Sequence, residues 1–245
     1  MLVLDHGASL LRFGSPDSTP KTAHNCVAKS KRTPFVFAPS SLVGLSEVYR
    51  PMQQGVLVNV ELERKIWQRV FKGTDCSETD LLLALPPFTP TSVLQSVDQM
   101  VFEDFKFRSY RRVHSYLVET GLHLDLGFSG CTVLPSFNGK LLNYAVQRIG
   151  VGGKLLTNFM KEKISFRNFD MTDETWLVDH IKQSACYISL DFERELSEYQ
   201  TDRRRACRYA LPDRDDYGRL AGRDEESGQT LTLDNLRIAV PELLF

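Results

Sequence analysis

Two short stretches of the 245-residue chain carry residue types suited to holding a phosphate. Leu2-Val3-Leu4-Asp5-His6-Gly7 and Leu122-His123-Leu124-Asp125-Leu126-Gly127 share one form. Each is an apolar strand ending in Asp-x-Gly, with a second apolar strand after it, residues 10–13 and 131–134. Glycine lets the backbone approach a phosphate closely, and successive N–H groups can cradle it. Asp5 and Asp125 could hold a hydrated Mg²⁺, a hard cation that takes carboxylate and phosphate oxygens. Gly7 and Gly127 are the candidate phosphate turns, and Arg12 on the first return strand is a candidate contact. Alone, either copy reads as an aspartate closing a tight turn. Together, starting 120 residues apart, they point to a duplicated architecture of two related halves.

Two further positions join this set. Gly152-Gly153 stands before a predicted helix and could bring a ribose or phosphate close to the backbone, or simply turn the chain. Lys182, expected to be exposed on its helix, could lie over a base or ribose, or be a solvated lysine. Nucleophilic and metal hydrolysis find no support. The chain has no Gly-x-Ser-x-Gly, no P-loop and no His-Glu-x-x-His. His6, His24, His114, His123 and His180 show no ligand spacing with another His or Cys.

The elements that must position these residues follow from periodicity. Residues 2–4 and 10–13 read as a hairpin, with Asp5-His6-Gly7 as its turn. Residues 14–51 are rich in Ser, Thr, Pro and Lys, and read as loop with one short strand at 34–37. Leu62, Ile66, Trp67 and Val70 make one face of a helix over 61–71. Residues 81–85 form a continuous apolar run ended by Pro86-Pro87, which predicts a fully buried strand. Thr89-Pro90-Thr91 starts a second helix, to 105. After the second Asp-x-Gly come a strand at 144–149 and helices at 154–164 and 174–187, the latter capped by Asp173. Residues 188–191 read as a short strand, 201–228 as an exposed connection, and 230–233 and 236–239 as the last strands.

Composition sets the outer limits. Hydrophobic residues at 42% and charged residues at 25% describe an ordinary globular chain. A net charge of -1 supplies no general field toward DNA or acidic lipid. Cys26, Cys76, Cys131, Cys186 and Cys207 are odd in number and widely spaced, which argues against disulfides and zinc, and for a reducing compartment. The first residues lack the pattern of a signal peptide, and no apolar run is long enough to span a bilayer. Residues 29–32 are basic but too short to make a strong nuclear address.

These residues resemble the actin family. Leu4-Asp5-His6-Gly7 is similar to its first phosphate loop and Leu124-Asp125-Leu126-Gly127 to its second. Residues 150–158, 182–192 and 235–245 are similar to later family segments, in family order. Asn25-Cys26-Val27-Ala28-Lys29-Ser30-Lys31, Gln54-Gly55-Val56-Leu57-Val58-Asn59 with Ile66-Trp67, and Phe102-Glu103-Asp104-Phe105-Lys106-Phe107 resemble the actin-related protein 6 class in particular.

The resemblance implies an α/β, actin-like (ribonuclease H-like duplicated) two-lobed fold, with 1–119 the first lobe and 120–245 an incomplete second lobe. It implies ATP or ADP with Mg²⁺ held as a structural group, through Asp5, Gly7, Arg12, Asp125, Gly127, Gly153 and Lys182, or lost. Partners implied are a remodeller motor ATPase subunit, companion subunits including a small zinc-HIT protein, and nucleosomes or histones through the complex, in the nucleus or also the cytoplasm, and without a membrane. An ATP-binding cytoskeletal actin-like protein is the alternative, and an α/β domain without nucleotide a third. Departures bear on mechanism: Phe128 replaces an acidic residue, Arg111-Arg112-Val113-His114 occupies the region of a water-positioning glutamine, and Gln183 replaces an acid. Fast hydrolysis is therefore not expected. The family is longer, so a chain of this length is expected to expose apolar surface that a partner would cover.

Overall fold

A computed structural model describes residues 1–30, 35–42, 45–114, 120–167, 170–202, 205–211 and 229–245. The strands and helices run in this order: β1 (Leu2–His6), β2 (Leu10–Gly14), β3 (Lys21–His24), β4 (Val27–Ser30), β5 (Val36–Phe37), β6 (Leu45–Tyr49), β7 (Met52–Gln53), β8 (Val56–Leu57), α1 (Val60–Val70), β9 (Asp80–Leu85), α2 (Thr91–Gln99), β10 (Ser109–His114), β11 (Gly121–Leu126), β12 (Cys131–Phe137), β13 (Lys140–Leu141), β14 (Gln147–Ile149), α3 (Gly153–Arg167), α4 (Thr175–Ala185), α5 (Phe192–Thr201), β15 (Cys207–Ala210), β16 (Thr230–Leu233) and α6 (Leu236–Glu242). The chain divides into two compact units, Met1–Leu42 with Glu47–Gly150, and Val43–Ser46 with Val151–Phe245.

The first unit is built on a mixed five-stranded sheet in the order β10-β9-β1-β2-β3. β1, β9 and β10 run parallel, so α1 and α2 are the crossovers between them. β2 and β3 return antiparallel as successive hairpins. Asn59 starts α1: its side-chain oxygen accepts from the Leu62 N–H at 3.0 Å. Glu61 and Glu63 stand in the positive first turn and Arg69 in the negative last turn. The core gathers Leu4, Leu11, Ile66, Trp67, Leu81, Leu83 and Met100. Trp67 and Phe71 meet edge to face at 5.5 Å, and Phe71 meets Phe107 at 5.3 Å. Cys26 is fully buried, and burial pushes its thiol up to about 11.

A second sheet in the same unit carries the second Asp-x-Gly. β11 pairs antiparallel with β12, and β13 and β14 both pair with β12. Arg148 on β14 donates to the Gln54 carbonyl, and the Arg50 guanidinium lies 4.6 Å from the Phe128 ring centroid. The β7–β8 hairpin thus sits against one end of this sheet. β5, β4 and β6 form a further three-stranded sheet.

The second unit is mainly helical. α3 buries Leu156, Met160 and Ile164, and α4 buries Trp176, Leu177, Val178 and Ile181. β15 and β16 form a two-stranded ribbon. His180 on α4 meets the Tyr209 hydroxyl of β15 at 2.8 Å. Arg237 on α6 donates to the Ala185 carbonyl at 2.9 Å and lies 5.1 Å from the Tyr187 ring centroid.

Several expectations change. Asp5 and His6 lie inside β1 rather than in its turn, and Asp125 likewise lies inside β11. β9 is half-buried and alternating, not buried throughout: Leu81, Leu83 and Leu85 face the core, while Leu82 and Ala84 are half-exposed. The second helix ends at Gln99 and passes into a wide turn over Met100–Asp104, where the Phe105 N–H reaches back to the Met100 carbonyl. Residues 143–145 are a helical turn, so only Gln147–Ile149 extends as a strand.

Glu174, without a side-chain bond, occupies the start of α4 that Asp173 was expected to cap. Residues 188–191 form no strand; Asp191 instead caps α5, accepting from the Arg194 N–H at 3.2 Å. The last expected strand is a helix. Leu236, Ile238 and Val240 alternate like a strand, but Asp234 accepts from the Leu236 N–H and the chain winds into α6. Pro34 of the expected 34–37 strand, part of the basic 29–32 stretch and most of 201–228 lie outside the described residues. Among the described residues no helix is long and apolar enough to cross a membrane. All five cysteines are free.

Candidate functional site

The first hairpin holds Asp5, Gly7 and Arg12 together. Asp5 stands opposite Arg12 in the β1–β2 register, and the Arg12 guanidinium donates to Asp5 at 3.1 Å. Both side chains are partly exposed, at 55% and 39%, so this pair contributes little to stability and stays open to exchange for another charged partner. Gly7 is demanded by sterics. A Cβ there would lie 2.5 Å from the Leu10 carbonyl oxygen, a contact that only backbone movement relieves. The Asn25 amide donates to the Gly7 carbonyl at 3.0 Å and fixes the turn from β3's far end.

Behind the hairpin lies a buried polar network that the sequence reading missed. His6 Nε2 meets Glu63 Oε1 at 2.7 Å, and the Trp67 indole donates to the same oxygen at 2.6 Å. His6 and Glu63 are 2% and 0% exposed. A Glu at 63 and a Trp at 67, four apart on one helix face, were the available signal. The network ties β1, one residue beyond Asp5, to α1.

The second hairpin repeats the turn but not its setting. The Gly127 N–H donates to the Gly130 carbonyl at 3.0 Å. A Cβ on Gly127 would meet that carbonyl at 3.2 Å, and one on Gly130 would meet the Ile149 carbonyl at 2.6 Å. Asp125 pairs with Thr132 in register and is exposed. Burial raises the neighbouring Cys131 thiol, with the Asp125 charge adding to it. A carboxylate beside a glycine turn, as on each hairpin, is the kind of donor that a hydrated Mg²⁺ takes alongside phosphate and water. Neither hairpin suits a cage made of protein alone: among the described residues no group of three or more His, Cys, Asp or Glu could hold a metal.

In the second unit, Gly153 and Lys182 come together. Lys182 Nζ donates to the Gly153 carbonyl at 3.2 Å, to Thr157 Oγ1 at 2.7 Å and to Asp179 at 2.6 Å. Its side chain is 14% exposed, so the expectation of an exposed lysine is corrected: the ammonium already has three acceptors because α3 and α4 pack side by side. Gly153 opens α3, whose first full helical bond runs from the Leu156 N–H to the Gly152 carbonyl. The N–H groups before it lack helical acceptors, as at any helix start.

The departures of the sequence also find places. Residues 111–114 lie within β10, in parallel register with β9. Arg112 pairs with Asp98 at 3.6 Å. Gln183 donates to Asp179 at 2.7 Å. Phe128 serves as the stacking surface for Arg50.

The family described as Actin matches residues 1–245. The chain belongs to the actin family. Its mixed α/β architecture, with several sheets and six helices among the described residues, is that of an actin-fold domain. Curated relatives of this actin-family chain are named actin-related protein 6. The one from Neurospora crassa is 32% identical over 308 residues, covering 100% of this chain and 68% of its own length. The one from Arabidopsis thaliana is 34% identical over 226 residues, covering 80% and 54%. An actin-like protein ARP6 from Yarrowia lipolytica is 33% identical over 214 residues, covering 80% and 55%. The chain spans about half to two thirds of the length of these relatives. The Neurospora crassa alignment is longer than this whole chain, so that relative carries segments between matched stretches that have no counterpart here.

Proposed function

We propose that this actin-family chain is a non-catalytic subunit of a nuclear chromatin-remodelling assembly that exchanges a variant histone into nucleosomes. Its place is on the motor ATPase subunit, beside companion subunits that include a small zinc-HIT protein, and it reaches nucleosomes through the complex. The observation that carries the reading is the pairing of two sterically constrained Asp-x-Gly hairpins with side chains unsuited to activating water. Where hydrolysing relatives need a group that positions the attacking water, residues 111–114 are held in a strand and Phe128 holds an arginine. Similarity of the segments at 25–31, 54–59, 102–107 and 151–158 to the actin-related protein 6 class supports the nuclear assignment.

ATP or ADP with Mg²⁺ is the group this reading implies, and it would neutralise and brace the two hairpins rather than be turned over. Asp5 and Asp125 would hold the cation through its water shell, Gly7 and Gly127 would admit phosphate to the backbone, and Arg12 would shift from Asp5 toward the phosphate charge. Affinity purification of the tagged chain from nuclear extract, followed by mass spectrometry, tests the assignment. Recovery of a remodeller motor with its companions is expected, and recovery of only cytoskeletal factors would sink it. Titration calorimetry with Mg-ATP tests the nucleotide role separately: binding lost on Asp5→Ala is expected, and binding that survives the change removes Asp5 from the site.

A further inference from the structure

An arginine outside both Asp-x-Gly sequences ties their two turns together. Arg50 stands between β6 and β7. Its Nη1 donates to the Ser9 carbonyl at 3.2 Å and, at a longer 3.5 Å, to the Asn25 carbonyl. Ser9 lies in the turn between β1 and β2, and its carbonyl also accepts from the Asn25 N–H at 2.8 Å. Asn25 in turn holds the Gly7 carbonyl through its side chain. The Arg50 guanidinium carbon lies 4.6 Å from the ring centroid of Phe128, in the turn between β11 and β12. One half-buried side chain therefore touches the tips of both hairpins. Arginine suits this place because its flat guanidinium can stack on a ring while its N–H groups donate outward. A lysine ammonium has no such plane.

The segment that carries Arg50 is braced. Met52 and Gln53 pair with Leu57 and Val56, and Gln54-Gly55 closes the hairpin with φ of 48° and 77°, as a two-residue type I′ turn requires. Met52 and Leu57 are buried. The Pro51 carbonyl accepts from the Val58 and Asn59 N–H groups at 3.0 and 3.1 Å, which ties the base of the hairpin to the start of α1. The tip meets the second turn again. Arg148 donates to the Gln54 carbonyl, and a Cβ on Gly55 would stand 3.7 Å from Ser129, the residue after Phe128.

We propose that Arg50 is a positioning residue for a polyphosphate: it sets the separation of the two turns, so that backbone N–H groups of both are offered to one ligand. Successive N–H groups in a turn make an anion cradle, and a ligand shared by two elements binds more tightly when they lose little freedom on binding. The Arg50 guanidinium is already engaged by two carbonyls and a ring, so it acts through the turns. This inference rests on the nucleotide reading above and adds that the two hairpins work as one site.

Titration calorimetry with Mg-ATP on the full chain tests it. Arg50→Met keeps the stem but removes the donors and the stacking plane. Phe128→Leu leaves Arg50 and its charge in place and removes the ring. Each should weaken binding roughly tenfold. The double variant should bind no more weakly than Arg50→Met alone, because both changes break one tie. Arg50→Lys, which keeps the charge without the plane, should recover little. Hydrogen exchange in the protein without nucleotide should quicken over residues 127–130 in both single variants, while β9 stays protected and so confirms folding. Should Arg50→Met fail to fold, Phe128→Leu decides, since it leaves both carbonyl bonds intact. A wild type that binds no Mg-ATP removes the nucleotide reading and this proposal with it. A wild type that binds, with both single variants binding as well, leaves that reading standing and overturns this one. Loss in Arg50→Met with full affinity in Phe128→Leu would make Arg50 a direct phosphate contact and overturn its positioning role. Additive losses in the double variant would do the same.

Discussion

The two Asp-x-Gly hairpins are written in nearly the same residues and end in different circumstances. β1 is paired on both sides, by β2 and β9, and its Leu4 is fully buried beneath α1 and α2. Among the described residues β11 is paired with β12 alone, and all three of its leucines are more than half exposed. In the first copy the residue after the aspartate, His6, anchors to Glu63 and Trp67 in the core. In the second the corresponding residue, Leu126, faces solvent. The comparison teaches that the local code sets the turn and the aspartate's position, while rigidity comes from what the rest of the chain lays against the strand.

That contrast can be broken at several depths. Glu63→Ala should have the largest effect, because it strands both His6 and the Trp67 indole in the core. We expect a loss of roughly 3–5 kcal/mol by urea unfolding, as for removal of one partner from a buried pair. A loss below about 1 kcal/mol would mean that water reaches the network. Leu4→Ala should cost about 2–5 kcal/mol as a core truncation. Its counterpart Leu124→Ala should stay within about 0.5 kcal/mol. Equal losses would contradict the difference in burial.

Gly7→Ala and Gly127→Ala probe the turns themselves. The first forces a Cβ against backbone at 2.5 Å and the second at 3.2 Å. We expect about 1–3 kcal/mol for Gly7, and clearly less for Gly127, in thermal melts of the two variants.

The smallest effect concerns acid. Arg108 and Ser109 bond the Asp80 carboxylate at the β9–β10 end of the first sheet and hold it down to about 2, from the ordinary 3.8. A carboxylate depressed in the folded state adds stability above its unfolded value and loses it as pH falls through the folded value. The contribution should therefore fade between about pH 4 and about pH 2. In Asp80→Asn the melting temperature should depend less on pH across that window. An unchanged slope would show that other carboxylates govern acid unfolding.

Much of the first unit was legible because its signals are short-range. The 3.6-residue stripe of Ile66, Trp67 and Val70 and the pair of Asp-x-Gly turns need no knowledge of the fold. What escaped depends on neighbours. β9 alternates in burial because one of its faces is covered less than the other, which an all-apolar run cannot reveal. α6 imitates a strand in sequence, yet Asp234 starts a helix and Arg237 ties it to Ala185, 52 residues away. Lys182 looked exposed because its acceptors belong to another helix and to its own previous turn. Asp5, Gly7 and Arg12 could be read as one group because a hairpin brings them together locally. The His6–Glu63 contact spans 57 residues and could not.

Cys26 gives the protein a built-in clock. Its sulfur is sealed from solvent, and its ionisation lies near 11. At neutral pH few of these thiols carry the charge that an alkylating reagent attacks, even before the reagent has found a way in. The neighbouring Asn25 holds the Gly7 carbonyl, so the segment that must lift away to admit iodoacetamide also supports the first turn. The rate at which this single sulfur is modified, followed by peptide mass, therefore counts how often that turn comes undone.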